Sequence, residues 1–157
     1  MTKKVVYWDA NCFLGLLQNE AEKVARCRYT TEQAEQGNLL IITSAITVIE
    51  VIKIKGKPKL KRSAENTIRQ FFENPFIYIH DVDREVGIKA RDLMWKHAGL
   101  KPKDAIHVAT AILRKVPIMH TFDDDLIKLS GKYGDPRLII CQPEKNPQGR
   151  LFGDQET

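Results

Sequence analysis

Four carboxylates stand beside apolar runs, where an acid needs a reason to be. Asp9 ends Val5-Val6-Tyr7-Trp8, and Glu50 lies within Ser44-Ala45-Ile46-Thr47-Val48-Ile49-Glu50. Asp104 opens Asp104-Ala105-Ile106-His107-Val108-Ala109-Thr110-Ala111 just after Lys101-Pro102-Lys103, and Asp123 heads Asp123-Asp124-Asp125 after Thr121-Phe122. Asp9 by itself is explained as a helix cap, and Asp104 as an acid complementing a helix dipole. Glu50 is harder to explain, because an ionised carboxylate in an apolar helix costs several kcal/mol unless a partner answers it; Lys53 or Lys55 could do so from the surface. The triplet 123–125 also exceeds what a cap requires, since adjacent carboxylates repel. His107, three residues after Asp104, shares its helix face and reads as a supporting residue rather than a ligand.

The surrounding pattern must position these acids. Short apolar runs at 5–8, 39–43, 76–79, 117–121 and 138–141 read as strands. Helical patterns lie between them at 11–37 (with a possible break), 45–53, 59–73, 84–98 and 102–115, with a short one after Asp123. Alternating strands and helices predict an α/β fold, a single-domain parallel β-sheet of five strands covered by helices on both faces. In such sheets ligands bind beyond the carboxyl ends of the strands, which is where Asp9, Glu50, Asp104 and Asp123 all fall. Four converging carboxylates make sense around a shared hard cation with oxygen ligands, Mg²⁺ or Mn²⁺. Clustered His and Cys are too few for structural zinc.

The chain has 157 residues, enough for one domain with a core, and a net charge of +5. The charge excess sits in one stretch, 53–62, holding Lys53, Lys55, Lys57, Lys59, Lys61 and Arg62 without an acid. Such a stretch can hold phosphates by displacing counterions, and it reads equally well as a solvated, lysine-rich connection between helices. No apolar run approaches the ~20 residues of a membrane helix, so no membrane association is expected. Asp9 interrupts what would be the apolar core of an export signal, and Cys12, Cys27 and Cys141 form no framework, so a cytoplasmic location is expected. The tail 142–157, with Pro143, Pro147, Gly149 and Gly153, reads as irregular.

The order of the acidic motifs resembles the PIN-domain ribonucleases, and most of all the VapC-type toxins of type II toxin–antitoxin pairs. The matching pieces are Asp9-Ala10-Asn11, the segments ending at Glu50 and beginning at Asp104, and Thr121-Phe122-Asp123-Asp124-Asp125-Leu126. The resemblance runs from about Val5 to Cys141 and implies a PIN-like nuclease domain over 1–141. It departs at Ala10, where the family often has threonine, and at Asp124, an additional charge.

The resemblance implies a metal-dependent endoribonuclease in which Asp9, Asp104 and Asp123, with Asp125 as a further candidate, hold one or two Mg²⁺ or Mn²⁺ ions. Glu50 completes the catalytic set, Asn11, Thr121 and His107 support it, and hydrolysis leaves a 5′-phosphate and a 3′-hydroxyl. It further implies an RNA substrate, a cognate antitoxin bringing a basic side chain to the acids, and a homodimer. Two other readings compete. One is a receiver-like phosphoacceptor domain using Asp81 after the third strand; the other is a non-catalytic RNA-binding module on the same fold.

Overall fold

The computed structural model describes residues 3–53 and 56–147. Strands β1 (Lys4–Trp8), β2 (Leu39–Ser44), β3 (Ile77–His80), β4 (Ile118–His120) and β5 (Ile139–Cys141) form one parallel sheet in the order β3-β2-β1-β4-β5. Helices α1 (Ala10–Leu17), α2 (Ala21–Glu35), α3 (Ala45–Glu50), α4 (Glu65–Phe72), α5 (Arg84–Lys96), α6 (Pro102–Leu113) and α7 (Asp124–Ile127) connect the strands. The five expected strands and the parallel α/β layering are therefore present.

Side chains alternate along β1, so Val6 and Trp8 enter one core with Phe13, Cys27 and Ile41 while Tyr7 enters the other with Leu93, Val108 and Met119. The central strand is buried on both faces, which accounts for its unbroken apolar run. From β1 the chain builds outward through β2 to β3, then returns to place β4 on the other side of β1. Strand order thus reverses between β1 and β4, and a crevice opens beyond their carboxyl ends. Asp9 and Thr121 leave the sheet at that crevice.

This strand order also counts against the phosphoacceptor reading. A receiver-type sheet places its third strand centrally, whereas here β3 is an edge strand and Asp81 lies two strands away from β1.

Two helices are shorter than their patterns suggest. The helix expected over 45–53 ends at Glu50, and Val51 leaves helical geometry (φ −77°, ψ 68°). The β-branched run Ile46-Thr47-Val48-Ile49 with Val51 and Ile52 supplies little helix propensity to extend it. The helix expected over 59–73 begins as a 3₁₀ turn, Arg62–Ala64, and becomes α-helical only at Glu65. The residues before it follow Pro58 and lack apolar periodicity, and Leu60 instead donates its N–H to the Ile52 carbonyl at 2.7 Å.

Among the described residues, no helix is long and apolar enough to cross a membrane. The start of the expected tail is tied to the domain: Arg26 donates to the Pro143 carbonyl at 2.9 Å, and Lys4 pairs with Glu144 at 3.1 Å. Residues 148–157 lie outside the described residues.

Candidate active site

Asp9 performs two jobs at the strand switch. Only 3% exposed, it caps α1 through Oδ1, which accepts the Asn11 and Cys12 N–H groups at 3.1 and 3.3 Å. Its Oδ2 accepts the hydroxyl of Thr121 from the end of β4. The Thr121 oxygen in turn accepts the Asp123 N–H at 3.1 Å, so one hydroxyl links Asp9 to the loop carrying Asp123. Asp123 Oδ1 then accepts the Asp125 N–H at 2.9 Å and caps α7. Asp125 itself is exposed and faces Lys128 at 3.7 Å.

Glu50 is answered from the core, not by the surface lysines that its sequence neighbourhood suggests. His107 Nε2 lies 2.7 Å from Glu50 Oε1, and His107 Nδ1 lies 2.6 Å from the Tyr7 hydroxyl. Lys53 makes no ion pair with Glu50, and Lys55 lies outside the described residues. His107 is 2% exposed and packs edge-on against the Tyr7 ring. A second pair of hydrogen bonds fixes the base of α3. Thr43 donates to the Trp8 carbonyl at 2.7 Å and accepts the Thr47 hydroxyl at 2.7 Å, locking α3 to the end of β1.

Tyr7 is a site residue that motif reading passes over. The available signal is strand alternation, which turns Tyr7 toward α6, together with the need of a buried phenol for a polar partner.

The acids are electrostatically coupled. Burial raises the pKa of Asp9 and the charge of Glu50 adds to this, while His107 and the hydrogen bonds from Thr121 and Cys12 oppose it. Asp104, half-buried in the first turn of α6, is raised first by burial and then by the charge of Asp123, with Glu50 adding to the effect and His107 and Lys101 opposing it. The charge of Glu50, from α3, thus acts on both Asp9 at the β1 end and Asp104 of α6, and the charge of Asp123, from the β4–α7 loop, acts on Asp104.

A donor set made only of oxygens and open to water suits a hard cation that keeps part of its hydration shell. The fit is one of donor chemistry and not of a closed shell: among the described residues, no three His, Cys, Asp or Glu side chains form a ready-made group that could hold a metal ion.

Two separate clefts are lined by these acids, one by Asp104 and Asp123 and the other by Glu50. One, of about 360 Å³, lies between the α5–α6 loop and α7 and is lined by Asp104, Asp123, Asp125, Lys101, Lys128 and Lys132 among others. The other, of about 620 Å³, lies between α1 and α3 and is lined by Asn11, Glu50, Lys53 and Lys103 with apolar side chains. Most of the basic stretch lies elsewhere. Lys57, Lys59 and Lys61 border a cavity beside Gln18, and Lys61 and Arg62 edge an apolar groove between α3 and α4; neither space contains any of the four acids.

Solved structures that share this fold include three from toxin–antitoxin systems. The sarcin–ricin-loop-cleaving toxin VapC20 of Mycobacterium tuberculosis superposes with a TM-score of 0.63 at 11% identity, covering 77% of this chain and 92% of its own. A toxin–antitoxin complex from Klebsiella pneumoniae gives 0.60 at 18% identity, with 90% and 99% covered. VapBC2 from Rickettsia felis, bound to a DNA fragment from its promoter, gives 0.62 at 16% identity, with 87% and 96% covered. No curated protein matches the chain in sequence. The family model of the PIN domain matches residues 6–132, a span holding the crevice between β1 and β4 and all four coupled acids, and this protein therefore belongs to the PIN-domain family.

Proposed function

We propose that this protein is a metal-dependent endoribonuclease acting as the toxin of a toxin–antitoxin pair. The observation that carries the reading is the coupling of Asp9, Glu50, Asp104 and Asp123, drawn from four separate parts of the chain to the strand switch of a PIN fold. A purely structural role leaves this unexplained, because burying Asp9 and half-burying Asp104 close to further carboxylates raises the pKa of both and weakens a fold with no cation present.

Asp9, Asp104 and Asp123 would hold Mg²⁺ or Mn²⁺, with Asp125 at the cleft margin. A bound divalent cation lowers the pKa of a coordinated water and offsets the charge of a scissile phosphate. The protein's own groups do the positioning. Thr121 holds Asp9 Oδ2 toward the β4 end, and the α1 cap fixes Oδ1. His107 holds Glu50 Oε1, leaving its second oxygen without a protein partner among the described residues and available to orient water or accept its proton. Single-stranded or looped RNA suits such a site, since an unpaired backbone can bend into a cleft that a rigid A-form duplex cannot enter.

The decisive experiment is cleavage of RNA by the purified protein with Mg²⁺ or Mn²⁺. Chelation by EDTA should abolish it, and Asp9→Asn or Asp104→Asn should each lower the rate by at least about 100-fold, beyond the range for residues that merely support metal ligands. Full activity of either variant overturns the assignment. A non-catalytic RNA-binding module would show RNA binding without cleavage and no thermal stabilisation by Mn²⁺.

An antitoxin partner is part of the same reading. Two of the structural neighbours are toxin–antitoxin assemblies. This chain also exposes apolar side chains on α3 beside a groove of about 670 Å³ that continues to Ile68 and Phe72 of α4. An amphipathic segment could lay its apolar face there, in the manner of helix-in-groove recognition, and bring an Arg or Lys to the nearby carboxylates.

A further inference from the structure

A centre of four carboxylates repels a polyanion, so RNA must find cations on both sides of the bond to be cut. The basic stretch meets this need poorly. Only Lys53 of its described members lines a cleft with one of the four acids, while Lys57, Lys59 and Lys61 border a cavity containing none of them.

The lysines that do share the acids' space come from other parts of the chain. Lys101 precedes α6, Lys128 follows α7, and Lys132 lies in the α7–β5 loop, yet all three line the cleft holding Asp104, Asp123 and Asp125. Packing and ion pairing do not explain them. Among the described residues, the ammonium groups of Lys101 and Lys132 enter no ion pair or hydrogen bond. Lys128 has only the 3.7 Å contact to Asp125, between two strongly exposed side chains, which contributes little. Lys101 also stands at the N-terminal end of a helix, where a cation opposes the helix dipole. Helix stability therefore gives no reason for it.

We infer that the cleft between the α5–α6 loop and α7 is a phosphate-binding subsite for single-stranded RNA. There Lys101, Lys128 and Lys132 hold the phosphodiesters on one side of the scissile bond, and Lys53 and Lys103 serve the other side from the α1–α3 cleft. Flexible ammonium groups presented from three segments suit an irregular backbone better than a rigid duplex. The inference rests on the ribonuclease reading and adds the path of the substrate.

The test uses the full chain and a fluorescein-labelled single-stranded RNA oligonucleotide, with EDTA present to prevent cleavage and KCl varied. Three phosphate contacts at ~0.7 each predict that the triple variant Lys101→Gln/Lys128→Gln/Lys132→Gln lowers the slope of log affinity against log salt by about 2. The comparison variant Lys57→Gln/Lys59→Gln/Lys61→Gln should lose much less. A second series carries a single neutral methylphosphonate at successive positions around the cleavage site. In the wild type, neutral linkages on both sides should weaken binding; in the first variant the penalty should vanish on one side only. If the wild type binds and cleaves RNA but the first variant keeps its salt slope and both penalties, the subsite is overturned and the nuclease reading stands. Disappearance of the one-sided penalty in the comparison variant instead would overturn the subsite in the same way. A wild type that neither binds nor cleaves RNA overturns both.

Discussion

Both ring nitrogens of His107 are engaged, Nε2 by Glu50 and Nδ1 by the Tyr7 hydroxyl. Burial pushes the Tyr7 phenol well above its ordinary pKa, with the charges of Asp9 and Glu50 adding to the effect, so Tyr7 keeps its proton and shares a hydrogen bond of 2.6 Å with Nδ1. A carboxylate oxygen accepts, so the N–H at His107 Nε2 points at Glu50 Oε1. His107 and Tyr7 are positioning residues, since neither lines a cleft that reaches the acids. Replacing His107 by Ala should lower kcat for RNA by about 10–100-fold while KM changes little. Tyr7→Phe should cost about 1–3 kcal/mol of stability by leaving buried Nδ1 without a hydrogen-bond partner. Steady-state kinetics and denaturant unfolding check these outcomes, and ¹⁵N-detected histidine spectra should show the Nε2-protonated form. Wild-type kcat in the His107 variant would remove this residue from the positioning of Glu50.

At the level of elements, the decisive seam is between β1 and β4, because the crevice exists only while these strands stay side by side. Trp8 of β1 donates its indole N–H to His120 Nδ1 at 3.1 Å across that seam, and the Cys12 thiol donates to the His120 carbonyl at 3.4 Å. Burial, assisted by the charge of Lys4 and opposed by Glu144, depresses the His120 pKa from 6.5 to about 4. A depressed folded pKa means that the unfolded chain binds the proton more tightly between these values. The stability contributed by neutral His120 is therefore complete above pH 6.5 and is lost as pH falls toward 4. At ~1.4 kcal/mol per pKa unit the loss approaches about 3 kcal/mol. His120→Asn keeps an acceptor for the indole and removes the titration. Urea unfolding across this pH range should show the wild type losing that increment and the variant keeping it; parallel pH profiles would disprove the role.

For the whole molecule, the uneven burial of α3 matters most. Its anchoring side, Thr47 with the following Val51, is buried, while Ile49 is 77% exposed and Val48 and Ile52 are about half exposed. Apolar side chains grouped on a groove beside the acidic crevice fit a protein partner better than open water. Co-expression with the product of the adjacent reading frame should yield a stable complex lacking RNase activity. Ile49→Lys should weaken that complex by more than about 1 kcal/mol, as for a central contact residue, and leave the thermal midpoint of the free chain unchanged. A complex indifferent to Ile49→Lys would move the interface elsewhere.

Local spacing carried the elements and the candidate acids. Alternating β-branched runs and helical periods determined five strands and their parallel layering, and the positions of Asp9, Glu50, Asp104 and Asp123 at segment ends singled out the acids, because caps, strand ends and periodicity are properties of neighbouring residues. Tertiary structure alone decided their partners. Tyr7 and His107 are 100 positions apart, as Asp9 and Thr121 are 112 apart, and they meet only because β4 returns to the far side of β1 and presses α6 onto its face. The basic stretch shows the same division. Its charge was plain from composition, but in the fold Lys57, Lys59 and Lys61 border a cavity that holds none of the four acids, while Lys101, Lys128 and Lys132 line the cleft with Asp104 and Asp123. A strand order that reverses in space joins residues distant in sequence, and no local pattern encodes which ones meet.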